Sequence, residues 1–402
     1  MLKFLFFHKS SILISLLLVC CLLTAGCWDR KEIETRGFVL GMAIDMAQSE
    51  PEDKPDILKA AQAAGARKYK ASFEMRKFLS KSSGGTKPGT GEQESLVYAA
   101  EGESLFAIVR AVNTQYPAGL FFEDNQLLVF SEAVARDGIA DITDFLDRDP
   151  EFRRRARVFV TPGRAEDLFK SKTKSGELIS TYIARITRNE KKSPTFATMI
   201  EVGLISKKIH NNQSFAVPLI LAESDNVKAI GAALFNREFK MVGTLSELET
   251  VGTKILHRKL SQGITVTPNP ANPDKIAVFE LFESNIKVEP YLEQGELWFE
   301  LEAKFIGSLA ENQVPKQNPH ESGFLTALEE SLAEEFSRQA RIAYTKLQEN
   351  KTDVVELGFL VHKKYPEYWK TVKKRWDEEL FPIVPLKDVK IKVVIRSTSM
   401  TL

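Results

Sequence analysis

Glu296-Leu297-Trp298-Phe299-Glu300-Leu301-Glu302-Ala303-Lys304-Phe305 places Leu297, Phe299, Leu301, Ala303 and Phe305 at every second position, with Glu300, Glu302 and Lys304 between them. Only a strand has a two-residue side-chain period, so the stretch reads as a strand with one dry and one wet face. Residues 276–288 form a second β-prone run, and Glu293-Gln294-Gly295 supplies the turn that makes the two an antiparallel pair. Over 322–350, Leu325, Leu328, Leu332, Phe336, Ala340, Ala343 and Leu347 fall three or four apart, which predicts a long amphipathic helix. Its apolar stripe is wide and its other face carries mixed charges, so packing across the sheet is favoured over a coiled coil. Residues 387–397 alternate Val389, Ile391, Val393 and Ile395 against Lys390, Lys392, Val394 and Arg396, and predict a final strand paired with the earlier ones. The second half is therefore an α+β unit, an antiparallel-rich sheet under one long helix.

Working back from that unit, 227–236 reads as a strand and 246–260 as a helix, with Ser246 and Glu249 at capping-box spacing. A short helix over 367–380 lines Trp369, Val372, Trp376 and Leu380 along one side, and the tryptophans read as core. In the first half, 38–45, 126–130 and 155–160 read as strands. Helical spacing covers 104–116, with Leu105, Ile108, Val109 and Val112 on one face, and recurs over 133–146 and 178–188. Asp149-Pro150 ends the second of these helices, and Pro162-Gly163 turns the chain. The polar residues 81–91, rich in Gly, Ser and Pro, read as a surface loop. Residues 194–220 read as irregular, with Asn211-Asn212 and Pro218, and carry a domain boundary. The expected organisation is an export segment at 1–26, an N-terminal domain at 27–205 with room for two subdomains, a linker at 206–226 and a C-terminal domain at 227–402. The fold class is α+β, multi-domain, with mixed sheets and packed helices.

The first residues set the compartment. Lys3, His8 and Lys9 precede an apolar run over 12–23, and Leu23-Thr24-Ala25-Gly26-Cys27 closes it. The run has the length of a signal-peptide core and is too short for a bilayer span. Small residues at Ala25 and Gly26 suit cleavage between Gly26 and Cys27, and the Cys27 thiol then accepts a diacylglycerol. Each buried methylene adds roughly 0.8 kcal/mol, so two or more acyl chains hold the body firmly beside a membrane. Beyond Cys27 no stretch is apolar and long enough to span.

Composition is that of folded domains, 43% hydrophobic and 27% charged. Losing Lys3 and Lys9 with the export segment takes the formal charge from +1 to −1, which favours neither nucleic acid nor anionic lipid. Cys20 and Cys21 leave with that segment and Cys27 is the lipid site, so disulfides, thiol catalysis and cysteine zinc sites are excluded from the body. His210, His257, His320 and His362 have no partner at metal-binding spacing, and no nucleophile elbow, Walker loop or dinucleotide fingerprint is present. Asp141, Asp144, Asp147, Asp149 and Glu151 lack the loop spacing of a calcium hand and read as a solvated face. Arg153-Arg154-Arg155-Ala156-Arg157 reads as a salt-bridged strand edge rather than a headgroup patch. No cofactor or metal is implied.

Cys27-Trp28-Asp29-Arg30-Lys31-Glu32-Ile33-Glu34 followed by Gly41-Met42-Ala43-Ile44-Asp45 resembles the opening of the spore germination lipoproteins, the C subunits of GerA-type nutrient germinant receptors. The resemblance continues through Glu132-Ala133-Val134-Ala135-Arg136-Asp137-Gly138-Ile139 and through Phe145-Leu146-Asp147-Arg148-Asp149-Pro150-Glu151-Phe152-Arg153. It extends to Gly231-Ala232-Ala233-Leu234-Phe235 and to 241–250, so it covers nearly the whole chain. Asp353 to Gly358 keeps only part of the family's Asp-x-x-Gly turn after the long helix. The resemblance implies a non-enzymatic lipoprotein held by Cys27 on the outer face of the spore inner membrane. It also implies assembly with membrane-spanning A and B subunits, a body of three mixed domains, and a part in assembly or signalling. A solute-binding lipoprotein of a transporter shares the export signal but calls for two repeated strand-helix lobes, an alternation the strand-rich second half lacks. A lipid-anchored hydrolase of envelope polymers needs a carboxylate pair, which leaves no spacing signature.

Overall fold

The computed structural model describes residues 36–47, 68–76, 95–190, 192–223, 226–314 and 323–398. The export segment, Gly26, Cys27, the 81–91 stretch and His320 lie outside the described residues.

Strands β1 (Arg36–Met46), β2 (Tyr69–Arg76), β3 (Ser95–Gly102), β4 (Gly119–Phe121), β5 (Leu127–Ser131), β6 (Arg157–Thr161), β7 (Phe215–Glu223), β8 (Asn226–Phe235) and β9 (Met241–Leu245) form one sheet. Its order is β3-β2-β1-β5-β6-β7-β8-β9, with β4 beside β1. The centre is parallel, β1 to β5 and β5 to β6, and the flanks are antiparallel hairpins. Every residue of β5 is buried, as a strand covered on both faces requires. Met42, Ile44, Leu128, Phe130 and Val160 pack under α1 (Leu105–Asn113), α2 (Glu132–Asp137) and α3 (Ala140–Arg148). The alternate residues Ala43, Leu127, Val129 and Phe159 pack against the 3₁₀ turn Ala165–Lys170 and α4 (Ile179–Ile186). Helix α5 (Val202–His210) joins the first of these layers through Val202 and Ile205.

Two buried carboxylates tie the second layer to the sheet. Asp45 of β1 accepts the Ala165 and Glu166 N–H groups at 2.7 and 3.0 Å, and Glu74 of β2 accepts those of Ile179 and Ser180 at 3.2 and 2.9 Å. Each fills the orphan donors at a helical start from a strand more than a hundred residues away in sequence, a cap no local pattern announces.

Two local expectations are corrected. The helix expected over 133–146 is two, because Gly138 takes φ +118 and the Ile139 N–H leaves the helix to donate to the Phe239 carbonyl at 3.1 Å. Residues 194–220 are not irregular: they hold α5 and most of β7, whose Phe215, Val217, Leu219 and Ile220 are buried in the sheet. The expected linker at 206–226 is thus the end of a helix, a tight turn through Asn212 at φ +51, and a sheet strand.

The second sheet has the order β10 (Gly263–Asn269), β11 (Asn272–Glu293), β12 (Glu296–Asn312), β13 (Leu386–Thr398). β11 and β12 pair antiparallel through the turn at Gln294 and Gly295, both at positive φ, and β13 closes the sheet parallel to β12. Leu297, Phe299, Leu301, Ala303 and Phe305 face the core, as their alternation predicts. Helix α6 (Glu247–Leu256) begins at the expected Ser246–Glu249 capping box, and α7 (Phe324–Glu349) lies across the sheet with Phe336 ring centroid 4.5 Å from that of Phe305. α6 crosses α7 so closely that a Cβ on Gly252 would lie 2.0 Å from the Gln339 carbonyl oxygen. Short helices α8 (Leu357–Lys364) and α9 (Pro366–Val372) follow. The helix expected over 367–380 stops at Val372, and Trp376 enters a separate wide turn, Trp376–Leu380, fully buried against Phe299 and Phe381. Trp369 is only half-buried.

β8 and β9 are a shared wall. Ala233, Phe235 and Met241 point into the first body's core, whereas Ala232, Leu234 and Leu245 point into the core under α7. The fold is α+β, with mixed sheets and packed helices, as the sequence predicts.

A buried charge junction as the candidate functional site

Where the two bodies meet, the turn after α7 carries the organising residues. Asp353 is buried, and its carboxylate accepts the Leu357 and Gly358 N–H groups at 2.8 and 2.6 Å and the Trp376 indole N–H at 2.9 Å. It therefore caps α8 and pins the wide turn at once. Burial raises its pKa against those three donors. Gly358 is required there, since a Cβ would come within 2.7 Å of Trp369 and Trp376. The cap leaves Glu356 in left-handed backbone at φ 63, aimed at the other body, where it meets the buried Lys208 of α5. Lys208 holds the Glu356 carboxyl below its usual range despite burial.

A second link lies beside it. Arg237, from the β8–β9 turn, pairs with Asp377 at 3.0 Å and donates to the Lys373 carbonyl at 2.8 Å. The Ser214 hydroxyl donates to the other Asp377 oxygen. Burial, followed by the nearby Asp353, pushes Asp377 up to about 6. At the end of α6, Arg258 donates to the Val355 carbonyl at 3.3 Å, and burial together with the Lys259 charge pushes His257 down to about 3, so the ring is neutral at pH 7.

Two cavities flank the Lys208–Glu356 pair and share it as a wall. One, of about 180 Å³, lies among α5, α6, β7, β8 and β9. The other, of about 510 Å³, opens toward α9 and is lined by His362, Trp369 and Lys374. The smaller is apolar on most sides, with Lys208, Lys254, Lys259 and Glu356 as its charged residues. Such a site can bind and be remodelled. Among the described residues no three His, Cys, Asp or Glu side chains gather as a metal site, and no helix is long and apolar enough to cross a membrane.

The residues singled out by sequence are dispersed. His210 stays on α5 with its Nδ1 2.8 Å from the Ser206 carbonyl, His362 stacks on Trp369, and His257 is buried at the junction. Asp144 and Asp147 pair with Arg148 and Arg154 on an exposed face, and Arg157 donates to the Ala184 carbonyl. No spacing rule marks Lys208, Lys254, Glu356 or Asp377, because they converge from four separate elements. The signals that do fall near the site are the partly kept turn at Asp353 to Gly358, His257, and the His362, Trp369 and Trp376 that line the larger cavity.

Comparison with known proteins fits this architecture. A family model described as "Spore germination protein N-terminal domain" matches residues 29–222, and one described as "Spore germination B3/ GerAC like, C-terminal" matches residues 230–399. The first match ends within β7 and the second begins within β8, and these two strands are neighbours in one sheet. Spore germination protein B3 of Bacillus subtilis (strain 168) is 26% identical over 96% of this chain and 97% of its own length. Spore germination protein A3 of the same organism is 24% identical over 94% of this chain and 95% of its own. The crystal structure of the GerBC protein superposes with a TM-score of 0.56 at 22% identity, covering 92% of this chain and all of that one, and so shares the fold. The two domain matches run in series over nearly the whole length, and the chain belongs to this family of GerAC-like spore germination proteins.

Proposed function

We propose that this chain is the lipid-anchored, non-enzymatic C subunit of a nutrient germinant receptor. Cys27 carries the acyl chains that hold it on the outer face of the spore inner membrane, beside membrane-spanning A and B subunits. It acts in assembly of the receptor or in passing the nutrient signal that starts germination. One observation carries the reading: both halves of the spore germination family follow each other along the chain, and relatives named for spore germination align end to end with it. The junction supports it in kind. A buried charge network between two bodies is suited to relaying a change of arrangement, since it has discrete paired states.

The test is the germination of spores lacking the chain, scored by loss of refractility across amino acids, sugars and nucleosides beside a receptor-independent trigger. A selective loss to some nutrients with that trigger intact is expected. An unchanged response in a strain stripped of sister receptors overturns the reading. For the anchor, Cys27→Ala should leave an uncleaved or misplaced precursor, and normal-sized, lipid-labelled protein from that variant contradicts the assignment.

A further inference from the structure

Lys254 is the unusual residue of the smaller junction cavity. It sits on the buried side of α6 with 6% of its surface exposed. Its Nζ makes one contact, to the Ser193 carbonyl at 3.5 Å, the outer limit of a hydrogen bond, and among the described residues it forms no ion pair. Among the described residues the one carboxylate on the cavity wall, Glu356, is engaged by Lys208. The wall thus carries three lysines against one carboxylate; Thr198, Thr250, Thr253 and the neutral His257 add uncharged polar groups, and the remainder is apolar, including Ala216, Ala232, Leu245 and Val354. Glu190 attracts this ammonium without forming an ion pair with it, and a buried charge matched only at a distance is costly unless an anion joins it.

We propose that this cavity binds a small aliphatic monocarboxylate, its carboxylate on the Lys254 ammonium and its hydrocarbon tail against Ala216, Ala232 and Leu245. The size agrees. An engineered apolar cavity of about 150 Å³ holds benzene, with six heavy atoms, and this one, of about 180 Å³, takes a carboxylate of similar bulk. The class follows from the walls: the surplus positive charge selects an anion, and the apolar remainder disfavours one that is polar on every side, such as phosphate. Bound between α5, α6 and β7–β9, the ligand would touch both bodies and stiffen their junction. The site does not depend on the receptor reading, because binding is measured on the chain itself.

The experiment is calorimetric titration of the full chain in detergent micelles with butanoate, beside 1-butanol and inorganic phosphate. Saturable one-to-one butanoate binding is expected, with Lys254→Met weakening it about tenfold or more, as loss of a charge-assisted hydrogen bond implies. Lys254→Met should also raise the thermal midpoint, since it removes a buried charge, which separates lost binding from lost folding. Burial pushes Lys254 down to about 8 against the attraction of Glu190. Lys208, Lys259, His257 and Glu356 also line the cavity, and Glu356 is held ionised by Lys208. Butanoate affinity should therefore fall as pH rises through 8, a readout that serves even if Lys254→Met does not fold. Equal affinity for 1-butanol, phosphate binding in place of butanoate, no saturable binding by the folded chain, or undiminished binding by a folded Lys254→Met each overturns the proposal.

Discussion

Glu74 and the junction both bury charge, yet they solve the problem differently. Glu74 sits between the large sheet and α4 with each of its two oxygens met by a backbone N–H group. The junction is satisfied at Asp353, paired across bodies at Lys208–Glu356 and Arg237–Asp377, and in surplus at Lys254. A closed site such as Glu74 fixes one arrangement. An open site with cavities on both sides of a salt bridge can change its pairing at modest cost, and this is where a relay belongs.

The contrast can be broken by removing the carboxylates one at a time. Asp353→Ala should cost most, about 4 kcal/mol, because three buried donors lose their acceptor at roughly 1–3 kcal/mol each with partial rescue by water. It should also free Trp376, so a shift of tryptophan fluorescence should accompany the drop in denaturation midpoint. Glu74→Ala should cost less, about 2 kcal/mol, since only two donors are orphaned and no indole N–H is among them. If Glu74→Ala proved costlier than Asp353→Ala, the junction would be less of an organising point than its geometry indicates. The Glu74 change should leave the Lys208–Glu356 pair untouched, and it should add to junction substitutions without coupling in a double-mutant cycle.

The same contrast marks what could be read in the sequence. Alternation at 296–305 and the stripe through Leu328, Leu332 and Phe336 are strong periodic signals, and strand, helix and their packing all follow from them. The Ser246–Glu249 box is a local rule and was equally legible. β7 was not, because Pro218 and the preceding Asn211-Asn212 punctuate a segment whose burial comes from strands placed elsewhere in the chain. Gly138 reads as tolerable in a helix until the β8–β9 turn is known to draw the Ile139 N–H away. The candidate site was the least legible part. Lys208, Lys254, Glu356 and Asp377 stand on different elements, and each by itself resembles an ordinary surface charge. Only tertiary placement makes them neighbours, and no spacing rule encodes that.

The smallest effect, and the finest probe of the junction, is its pH dependence. Asp377 is raised from 3.8 to about 6 on folding, so the stability tied to its proton is fully present below pH 3.8 and is lost as pH rises through 6. His257 is lowered from 6.5 to about 3, so its contribution is present above pH 6.5 and is lost as pH falls toward 3. Between pH 4 and 6 the two therefore oppose each other, each at no more than about 1.4 kcal/mol per pH unit. Urea denaturation of Asp377→Asn across that window, compared with the wild type, should show stability rising more steeply with pH, by about 1 kcal/mol per unit, because the opposing group is gone. His257→Gln should change the slope with the opposite sign. Glu74→Gln should affect the slope without altering the difference between those two variants, since it lies on the far side of the sheet. Equal slopes in Asp377→Asn and the wild type would mean that Asp377 is solvated in the folded chain and that the Arg237 link is open to water.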